Sequence, residues 1–519
     1  MTINTSRRGF LRGLAGAGLL GASGCCTTCC GGDKIKLAVV GVGGKGYSDW
    51  TPMLRTGMAE IVAFCDVDAN TYKSCLERAK GEGFGDLSKI PFYTDFRKLL
   101  KDAAILGVQA MTISTPDHVH APCAIKAMKM GIHVYVQKPL VRTLGELKYF
   151  EKVAKENNVI VQMGNQGSSL NSMRRCTEIL QSGILGEVKE VHVWTNRPVW
   201  PQGKVLADYI KSRGDKGDPI PAGLDWDSFL ATAKKRPYLG KFPDNLGPFH
   251  NDWKIAPNVY HAFNWRGSID FGAGAFGDMA CHTMNLPFRG LELADVQDAE
   301  CTMIEGKSDL IFPVKSIVKL TYRERVAKFG PQKGKKLPAV TLFWYDGDEK
   351  PDAKIMPKWA NTHEGKVPNT GCFIIGTNGS VLMQDDYGAK CAIALNEDKE
   401  YIDVFAHAKA NNVARSIPFC SDKADAALGG SSVEMKGMGE EHYGEFLRAI
   451  KGIGPVYEQT GSRCFSDIAY CIPQMEGILV GVVAQQIPGK HTWDSKAQKF
   501  GDAAANALIN QPVREGWEF

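Results

Sequence analysis

The sequence predicts an α/β fold whose first domain is a doubly wound parallel sheet. Apolar, β-branched runs of strand length alternate with helical segments between residues 34 and 163. A glycine-rich turn directly follows the first of these runs, and the 519 residues leave room for a second domain. We therefore divide the chain into a leading segment (1–32), a first domain (33–163) and a second domain (164–519).

The composition excludes several classes of protein. Hydrophobic residues make up 44% of the chain and charged residues 23%, which is typical of a globular protein. The 62 basic and 57 acidic residues give a net charge of only +5, far from the basic excess of a nucleic-acid-binding protein. No repeat is visible, and no apolar run reaches the length of a bilayer span. We expect neither a nucleic-acid partner nor a membrane span.

The first 32 residues contain an export motif. Ser6-Arg7-Arg8-Gly9-Phe10-Leu11-Arg12 precedes a glycine-rich apolar stretch from Leu14 to Ala22. This pattern resembles the twin-arginine signal S-R-R-x-F-L-K, which a receptor reads as an address. The alternative is a disordered basic segment that contains the arginine pair by chance. The motif predicts export by the twin-arginine route, to the periplasm or cell envelope.

A cysteine cluster follows the export motif, at residues 25–30. Ala22-Ser23-Gly24-Cys25 resembles a permissive lipobox, which would make Cys25 the attachment point of a lipid anchor. The alternative, a C-x-x-C metal pair, lacks a second pair at zinc-site spacing, so we predict no metal. The other 11 of the 15 cysteines should be buried thiols, because twin-arginine substrates fold in the reducing cytoplasm.

A nucleotide-binding motif follows the first strand, Lys34 to Val40. Residues 41–46, Gly-Val-Gly-Gly-Lys-Gly, match the pattern G-x-G-x-x-G. The glycines of this pattern allow a tight turn, close approach of the backbone to a pyrophosphate, and close packing of the helix on the strand. The pyrophosphate would lie at the N-terminus of the next helix. The motif predicts a Rossmann domain, with candidate cofactor contacts at Gly41, Val42, Gly43, Gly44, Lys45 and Gly46.

An acidic residue ends the second predicted strand, Glu60 to Asp66. It lies about twenty residues beyond the last glycine, the spacing of a carboxylate that accepts hydrogen bonds from the adenosine ribose. Its charge would repel a 2′-phosphate, so Asp66 favours NAD over NADP. The alternative is a solvated acid at a strand end, and Asp68 is a weaker candidate for the same role.

Strands and helices then continue to alternate along the chain. We predict strands at 110–114, 132–136 and 159–163, with helices at 121–130 and 143–157. Ligands of such sheets bind at the carboxyl ends of strands, where Thr115 and Lys138 fall. Further candidate cofactor contacts are Thr115, Pro116, His118, His120 and Lys138.

Four separated blocks resemble the glucose-fructose oxidoreductase / inositol dehydrogenase (Gfo/Idh/MocA) family. They are GVGGKG (41–46), STPDHVH (114–120), HVYVQKPL (133–140) and FGDMACH (276–282), while GCFIIGTNG (371–379) and HYGEF (442–446) resemble an exported subgroup. The resemblance implies an NAD-dependent oxidoreductase. It also implies an α+β second domain with a large open, mostly antiparallel sheet, through which a homo-oligomer would pair.

The resemblance also implies a catalytic group of Lys138, Asp278 and His282. The usual family dipeptide before the proline is Glu-Lys, whereas this chain has Gln137, so we expect Lys138 to lack its nearest charge partner. Asp278 and His282 are four residues apart and would share one helix face. We favour His282 as the base, Lys138 as the group polarising the substrate oxygen and Asp278 as the residue orienting His282. The sequence also allows these two roles to be exchanged, with Lys138 as the base and His282 as the group polarising the substrate oxygen.

Aromatic and charged residues of the second domain are candidate sugar contacts, although each could instead be structural. The candidates are Arg197, Trp200, Tyr260, Trp265 and Arg266, with Trp194 and Asn264 as further candidates. Residues 203–258, rich in Gly, Lys and Pro, are predicted to form an insertion or lid without regular structure.

Export bears on the predicted chemistry, because little free NAD is expected outside the cytoplasm. We predict an oxidoreductase that acts on a ring hydroxyl of a sugar or glycoside and keeps its NAD bound. An alternative is a redox-neutral glycosidase working through a transient keto-sugar. A non-enzymatic alternative is a glycan-binding lipoprotein that retains a vestigial nucleotide fold.

Overall fold

A computed structural model describes residues 34–242, 258–420 and 431–519, with only the backbone for 431–440. The export motif and Cys25 lie outside the described residues. Residues 35–519 form one structural unit. Its strands are β1 Ile35–Val40, β2 Ala59–Cys65, β3 Phe92–Tyr93, β4 Ala110–Ile113, β5 His133–Val136, β6 Val161–Met163, β7 Val188–Trp194, β8 Val296–Glu305, β9 Lys315–Tyr322, β10 Arg325–Val326, β11 Lys336–Leu337, β12 Val340–Asp346, β13 Gly371–Gly376, β14 Gly379–Met383, β15 Cys391–Leu395, β16 Ile402–Asp403, β17 Lys490–Asp494 and β18 Lys499–Phe500.

The helices lie between and after these strands. They are α1 Lys45–Arg55, α2 Ala69–Gly81, α3 Phe96–Leu106, α4 Asp117–Lys129, α5 Leu144–Asn157, α6 Asn171–Gln181, α7 Lys204–Arg213, α8 Trp226–Leu230, α9 Gly274–Thr283, α10 Asn285–Gly290, α11 Pro357–Thr362, α12 Ala408–Asn411, α13 Ser431–Ile450, α14 Ile468–Ala484 and α15 Ala503–Asn506.

The first sheet has six parallel strands in the order β3-β2-β1-β4-β5-β6. This is the strand order of a Rossmann fold, and it confirms the predicted doubly wound sheet. The order reverses between β1 and β4, which creates the crevice where such sheets bind ligands. The sheet therefore places the carboxyl ends of β1, β2 and β4 around one site.

Local signals account for most of the boundaries in this domain. Thr143 caps α5, and its side chain and that of Glu146 form a reciprocal capping box. Helix α4 begins at Asp117, four residues before the predicted start. Because of this earlier start, His118 and His120 belong to the helix and not to the preceding loop.

The second sheet has ten strands in the order β16-β15-β14-β13-β7-β12-β9-β8-β17-β18. Strands β7 and β12 are parallel, and the other neighbouring pairs are antiparallel, which confirms the predicted large, mostly antiparallel sheet. Strand β9 alternates buried and partly exposed residues, so the sheet buries one face more deeply than the other.

In the part of the chain that the structure describes, one segment has the length and composition of a membrane span. It runs over Ile468–Gln486 and contains α14, and 78% of its most apolar window is buried inside the fold. This helix packs against α9 and β8, so it serves as a core helix. The expectation that no apolar run reaches spanning length was therefore wrong for this segment.

The prediction that 203–258 has no regular structure is wrong in the part the structure describes. Helices α7 and α8 both lie in it. Their residues Leu206, Trp226 and Phe229 are buried in a separate hydrophobic cluster with Tyr260 and Phe271. Burial of these apolar side chains stabilises the two short helices, which helix propensity alone would leave marginal.

All eleven cysteines among the described residues are free thiols, and eight of them are buried. Cys123, on α4, is an example: it is fully buried, and burial raises the pKa of its thiol. Such thiols pack as small apolar side chains.

Candidate active site

A cavity of about 640 Å³ lies at the crevice of the first sheet and extends to α9. It brings together most of the residues that the sequence singled out. Those lining it are Gly41, Gly43, Gly44, Lys45, Asp66, Thr115, Pro116, Lys138, Arg197, Trp200, Trp265, Arg266, Asp278 and His282.

The glycine-rich turn has a geometry that side chains would disrupt. Gly41 has a φ of 82°, and a Cβ there would lie 2.5 Å from the carbonyl oxygen of Ser114. A Cβ on Gly46 would lie 1.9 Å from the carbonyl oxygen of Gly41. Helix α1 begins at Lys45 with no acidic residue in its first turn. Its free N–H groups can therefore receive a diphosphate.

Asp66 is held at the wall of the cavity by two backbone groups. The N–H of Val42 donates to Oδ2 at 2.7 Å, and the N–H of Asp68 donates to Oδ1 at 3.0 Å. Val42 thus contributes through its backbone, whereas Asp68 caps α2 with its own carboxylate. Asp66 retains lone pairs for ribose hydroxyls, and the turn and the carboxylate together fit NAD.

Lys138, just beyond β5, forms an ion pair with Asp278 of α9. Its Nζ donates to Oδ1 at 2.9 Å and to the carbonyl oxygen of Asp278 at 3.0 Å. Arg266 Nε donates to the same Oδ1 at 3.2 Å. Burial alone would raise the pKa of Asp278, but the charges of Lys138 and Arg266 outweigh it and hold that pKa well below its usual value. Asp278 is therefore an ionised group that positions Lys138.

His282 has a different environment from the one predicted. Its Nδ1 is buried without a hydrogen-bond partner among the described residues, so Asp278 does not orient it. Burial lowers the pKa of His282 well below 6.5, and the charge of Lys138 acts in the same direction. The imidazole is therefore neutral near pH 7, which leaves it able to accept a proton.

Tyr387 lines the cavity beside His282, and sequence reasoning missed it. The two ring centroids are 4.7 Å apart. Its loop is held by Asp385, whose Oδ1 accepts from the N–H groups of Tyr387 and Gly388 at 2.7 and 2.9 Å. The sequence does contain a signal for this loop. Residues 385–388, Asp-Asp-Tyr-Gly, lie between two strands and combine turn-forming residues with an aromatic one.

Two of the predicted sugar contacts, Trp200 and Trp265, lie around a third, Arg266, which is the cation next to Asp278. The Arg266 guanidinium lies 4.3 Å from the ring centroid of Phe263 and 4.4 Å from that of Trp265. The ring centroid of Trp200 lies 5.8 Å from the same guanidinium. Arg197 Nη2 donates to Asp386 Oδ2 at 3.0 Å. The aromatic side chains thus hold Arg266 in place as well as forming the cavity wall.

Several predicted site residues do not line the cavity: Val42, Gly46, His118, His120 and Tyr260, and the further candidates Trp194 and Asn264. Both ring nitrogens of His120 are within hydrogen-bond distance of backbone carbonyls, and His118 Nε2 is 2.9 Å from the carbonyl oxygen of Phe229. Burial lowers the pKa of His118 to about 3 and that of His120 to about 4. Tyr260 packs against Phe271 in the cluster around α8. These side chains support the fold around the site, because α4 turns both histidines inward.

A buried carboxylate beneath the cavity was also missed. Asp49 is fully buried and accepts from Lys45 Nζ at 2.5 Å, Ser114 Oγ at 2.7 Å and Gln137 Nε2 at 2.9 Å. The Tyr443 hydroxyl donates to it as well. Gln137 therefore binds an acid of α1, whereas the acid paired with Lys138 is Asp278 of α9.

Comparison with known proteins identifies the first domain. Residues 35–165 match the profile of the Gfo/Idh/MocA group, described as an oxidoreductase family with an NAD-binding Rossmann fold. Residues 35–165 are thus similar to the NAD-binding domain of this family. This confirms the predicted NAD-binding domain.

Among residues 34–242, 258–420 and 431–519, no three His, Cys, Asp or Glu side chains form a group that could hold a metal ion.

Curated relatives align with only part of this chain. A glycosyl hydrolase family 109 protein from Saccharopolyspora erythraea is 28% identical over 158 residues, 30% of this chain and 34% of the relative. Glycosyl hydrolase family 109 protein 2 from Akkermansia muciniphila is 34% identical over 115 residues, 22% of this chain and 24% of the relative. The chain thus matches about a third or less of the length of these relatives.

Solved structures share the fold over most of the chain. An inositol dehydrogenase homologue from Azotobacter vinelandii, complexed with NAD⁺, has a TM-score of 0.54 at 16% identity and covers 89% of this chain and 97% of its own. The WlbA dehydrogenase from Chromobacterium violaceum, in complex with NADH and UDP-GlcNAcA, has a TM-score of 0.54 at 14% identity and covers 89% and 96%. The two-sheet architecture is therefore shared by oxidoreductases with unrelated-looking sequences.

Proposed function

We propose that this protein is an NAD-dependent oxidoreductase that oxidises a ring hydroxyl of a sugar or glycoside. The observation that carries the proposal is a single cavity containing both the dinucleotide turn and the group formed by Lys138, Asp278 and His282. An ionised lysine–aspartate pair beside a neutral histidine has the groups needed for proton transfer at an alcohol.

The residues that would hold the cofactor are the 41–46 turn, the start of α1 and Asp66. When bound, NAD supplies the hydride acceptor. Lys138 is positioned by Asp278 to donate a hydrogen bond to the substrate oxygen, and the His282 ring accepts the hydroxyl proton. Arg266 keeps Asp278 paired while Lys138 exchanges its contacts, since both cations share one carboxylate oxygen.

The pH profile should reflect the environment of His282. Because burial lowers the pKa of this ring below 6.5, its neutral, proton-accepting form persists as the pH falls through that value. We therefore expect kcat/KM to stay flat as the pH falls through 6.5. An acid limb centred near pH 6.5, present in the unaltered protein and absent from His282→Gln, would contradict this assignment.

A second candidate function is a redox-neutral glycosidase, favoured by the printed names of the two partial relatives described above. In that reaction, oxidation of a ring carbon acidifies the adjacent C–H, a base removes that proton, the glycosidic bond is eliminated and water adds before the carbon is reduced again. The neutral His282 ring can take that proton, and Tyr387, whose ring centroid lies 4.7 Å from that of His282, brings a hydroxyl-bearing side chain to the same part of the cavity.

One experiment separates the two candidates. The protein is purified without added cofactor, its NAD content is measured by mass spectrometry, and it is tested on a panel of sugars and aryl glycosides. Cleavage of an aryl glycoside without added NAD supports the glycosidase. Stoichiometric reduction of added NAD with a sugar supports the dehydrogenase, and neither reaction in any member of the panel rejects both.

We further propose export by the twin-arginine route, a lipid anchor at Cys25 and assembly as a homo-oligomer. The first two rest on the motif at residues 6–12 and the lipobox-like sequence, and the third on the large open second sheet. Envelope localisation of an Arg7→Lys, Arg8→Lys variant would reject export by this route. Palmitate labelling that survives Cys25→Ala would reject the anchor, and a monomer by light scattering would reject the oligomer.

A further inference from the structure

Residues 512–519, here called the strap, connect the two sides of the cavity. The strap contains no helix or strand. At one end, Arg514 binds the loop after α8: its N–H donates to the carbonyl oxygen of Thr232 at 3.0 Å, and Nε donates to that of Ala231 at 2.9 Å. Its guanidinium also pairs with the Asp227 carboxylate. The strap is therefore attached to the element that contributes Ser228 and Phe229 to the cavity wall.

The other end of the strap lies on α3 of the first domain. Trp517 is only 3% exposed, and the Arg97 guanidinium lies 3.6 Å from its ring centroid. Arg97 Nη1 also donates to the carbonyl oxygen of Gly516 at 2.8 Å. The Phe96 ring meets the indole edge-on, with centroids 5.8 Å apart. The indole is thus held from two sides by the start of one helix.

Trp517 also lines the cavity, together with Thr94, Asp95 and Phe96. Thr94, Asp95 and Phe96 directly follow β3. The last residue of that strand, Tyr93, accepts a hydrogen bond at its carbonyl oxygen from the N–H of Asp66 at 3.0 Å. The strap therefore reaches the same end of the cavity as the carboxylate that fits the adenosine ribose. An aromatic ring at that end is a surface on which a nucleobase can stack.

We propose that the strap closes the nucleoside end of the cofactor site, with Trp517 as a wall for the adenine ring, and that it slows release of NAD. This inference rests on the proposed function. Besides the burial of Trp517, the strap is held by contacts of Arg514, Arg97 and Lys126, and no strand ladder includes it, so it can open without disrupting either sheet. A closed strap would account for a cofactor that remains bound through many turnovers.

The test is cofactor release from the full-length protein, with no need for a known substrate. Protein loaded with labelled NAD is passed through gel filtration, and its NAD content is measured. Excess unlabelled NAD is then added, and the rate at which the labelled NAD dissociates is followed. Trp517→Ala should raise that rate between about fivefold and a hundredfold, the range expected for losing one base–aromatic stack. Trp517→Phe should restore most of the retention.

Phe519→Ala is the matched control, because this aromatic residue of the strap packs on Tyr149 and does not line the cavity. It should release NAD at the rate of the unaltered protein. If Trp517→Ala fails to fold, Arg514→Ala carries the test, because it frees the strap from Asp227 while keeping the indole. Unchanged release in the folded variants overturns the strap proposal alone, whereas an unaltered protein that binds no NAD overturns the proposed function as well.

Discussion

Lys138→Met is expected to lower kcat by about 10²- to 10⁴-fold while leaving NAD bound. Methionine keeps the apolar stem of the side chain but removes the ammonium that donates to Asp278 and, as we propose, to the substrate oxygen. The fold should survive the change, because Asp278 keeps a cationic partner in Arg266 at 3.2 Å. The loss should therefore appear in kcat and not in the melting temperature.

The control for this prediction is Lys148→Met, the same exchange at an exposed position of α5. Steady-state kinetics and NAD content are measured on both variants with the substrate that the panel identifies. Full kcat in Lys138→Met would show that this ammonium takes no part in the reaction. Loss of bound NAD in parallel with kcat would instead place Lys138 in cofactor binding, the second role that the sequence suggested.

The cofactor half of the site was predictable because its determinants are local. A strand, a glycine-rich turn and an acid at the end of the next strand constrain their own backbone, and Gly41 tolerates no side chain at its φ of 82°. Lys138 could also be placed, since the end of a parallel strand faces the crevice whatever the rest of the chain does. On this side of the site the orientation of α4 was missed, and with it the burial of His118 and His120, as was the buried Asp49 that binds Lys45.

The catalytic half was predictable as a set of residues but not as a set of contacts. Asp278 and His282 do share a helix face, as four-residue spacing requires. Which group Asp278 binds depends on Lys138, 140 residues away, and on Arg266. Tyr443 reaches Asp49 across 394 residues, and no local pattern reports such a pairing. The spacing of residues along a helix predicts which side chains share a face, whereas tertiary packing determines which groups those side chains contact.

The relation between Gln137 and Asp49 yields the second large prediction, which concerns stability. Gln137 Nε2 donates to both carboxylate oxygens of Asp49, at 2.9 and 3.1 Å, and both side chains are buried. Gln137→Glu would restore the usual family acid but set two carboxylates against each other there. We expect a loss of about 3 kcal/mol in the free energy of unfolding, comparable with an uncompensated buried charge. The loss should shrink at low pH, where protonation of the new glutamate relieves the repulsion.

The matched rescue is the double variant Asp49→Asn, Gln137→Glu, which exchanges the acid and the amide between the two positions. It keeps one carboxylate and one donor in the same contact, but the asparagine at position 49 no longer pairs with Lys45, so stability should return only in part. Thermal and denaturant unfolding of the four members of this double-mutant cycle give the coupling, expected at about 2 kcal/mol. Additive effects would mean that the two residues act independently. A favourable coupling would show that the acid of this buried pair can lie on either α1 or the strand end, provided that the pair holds one charge.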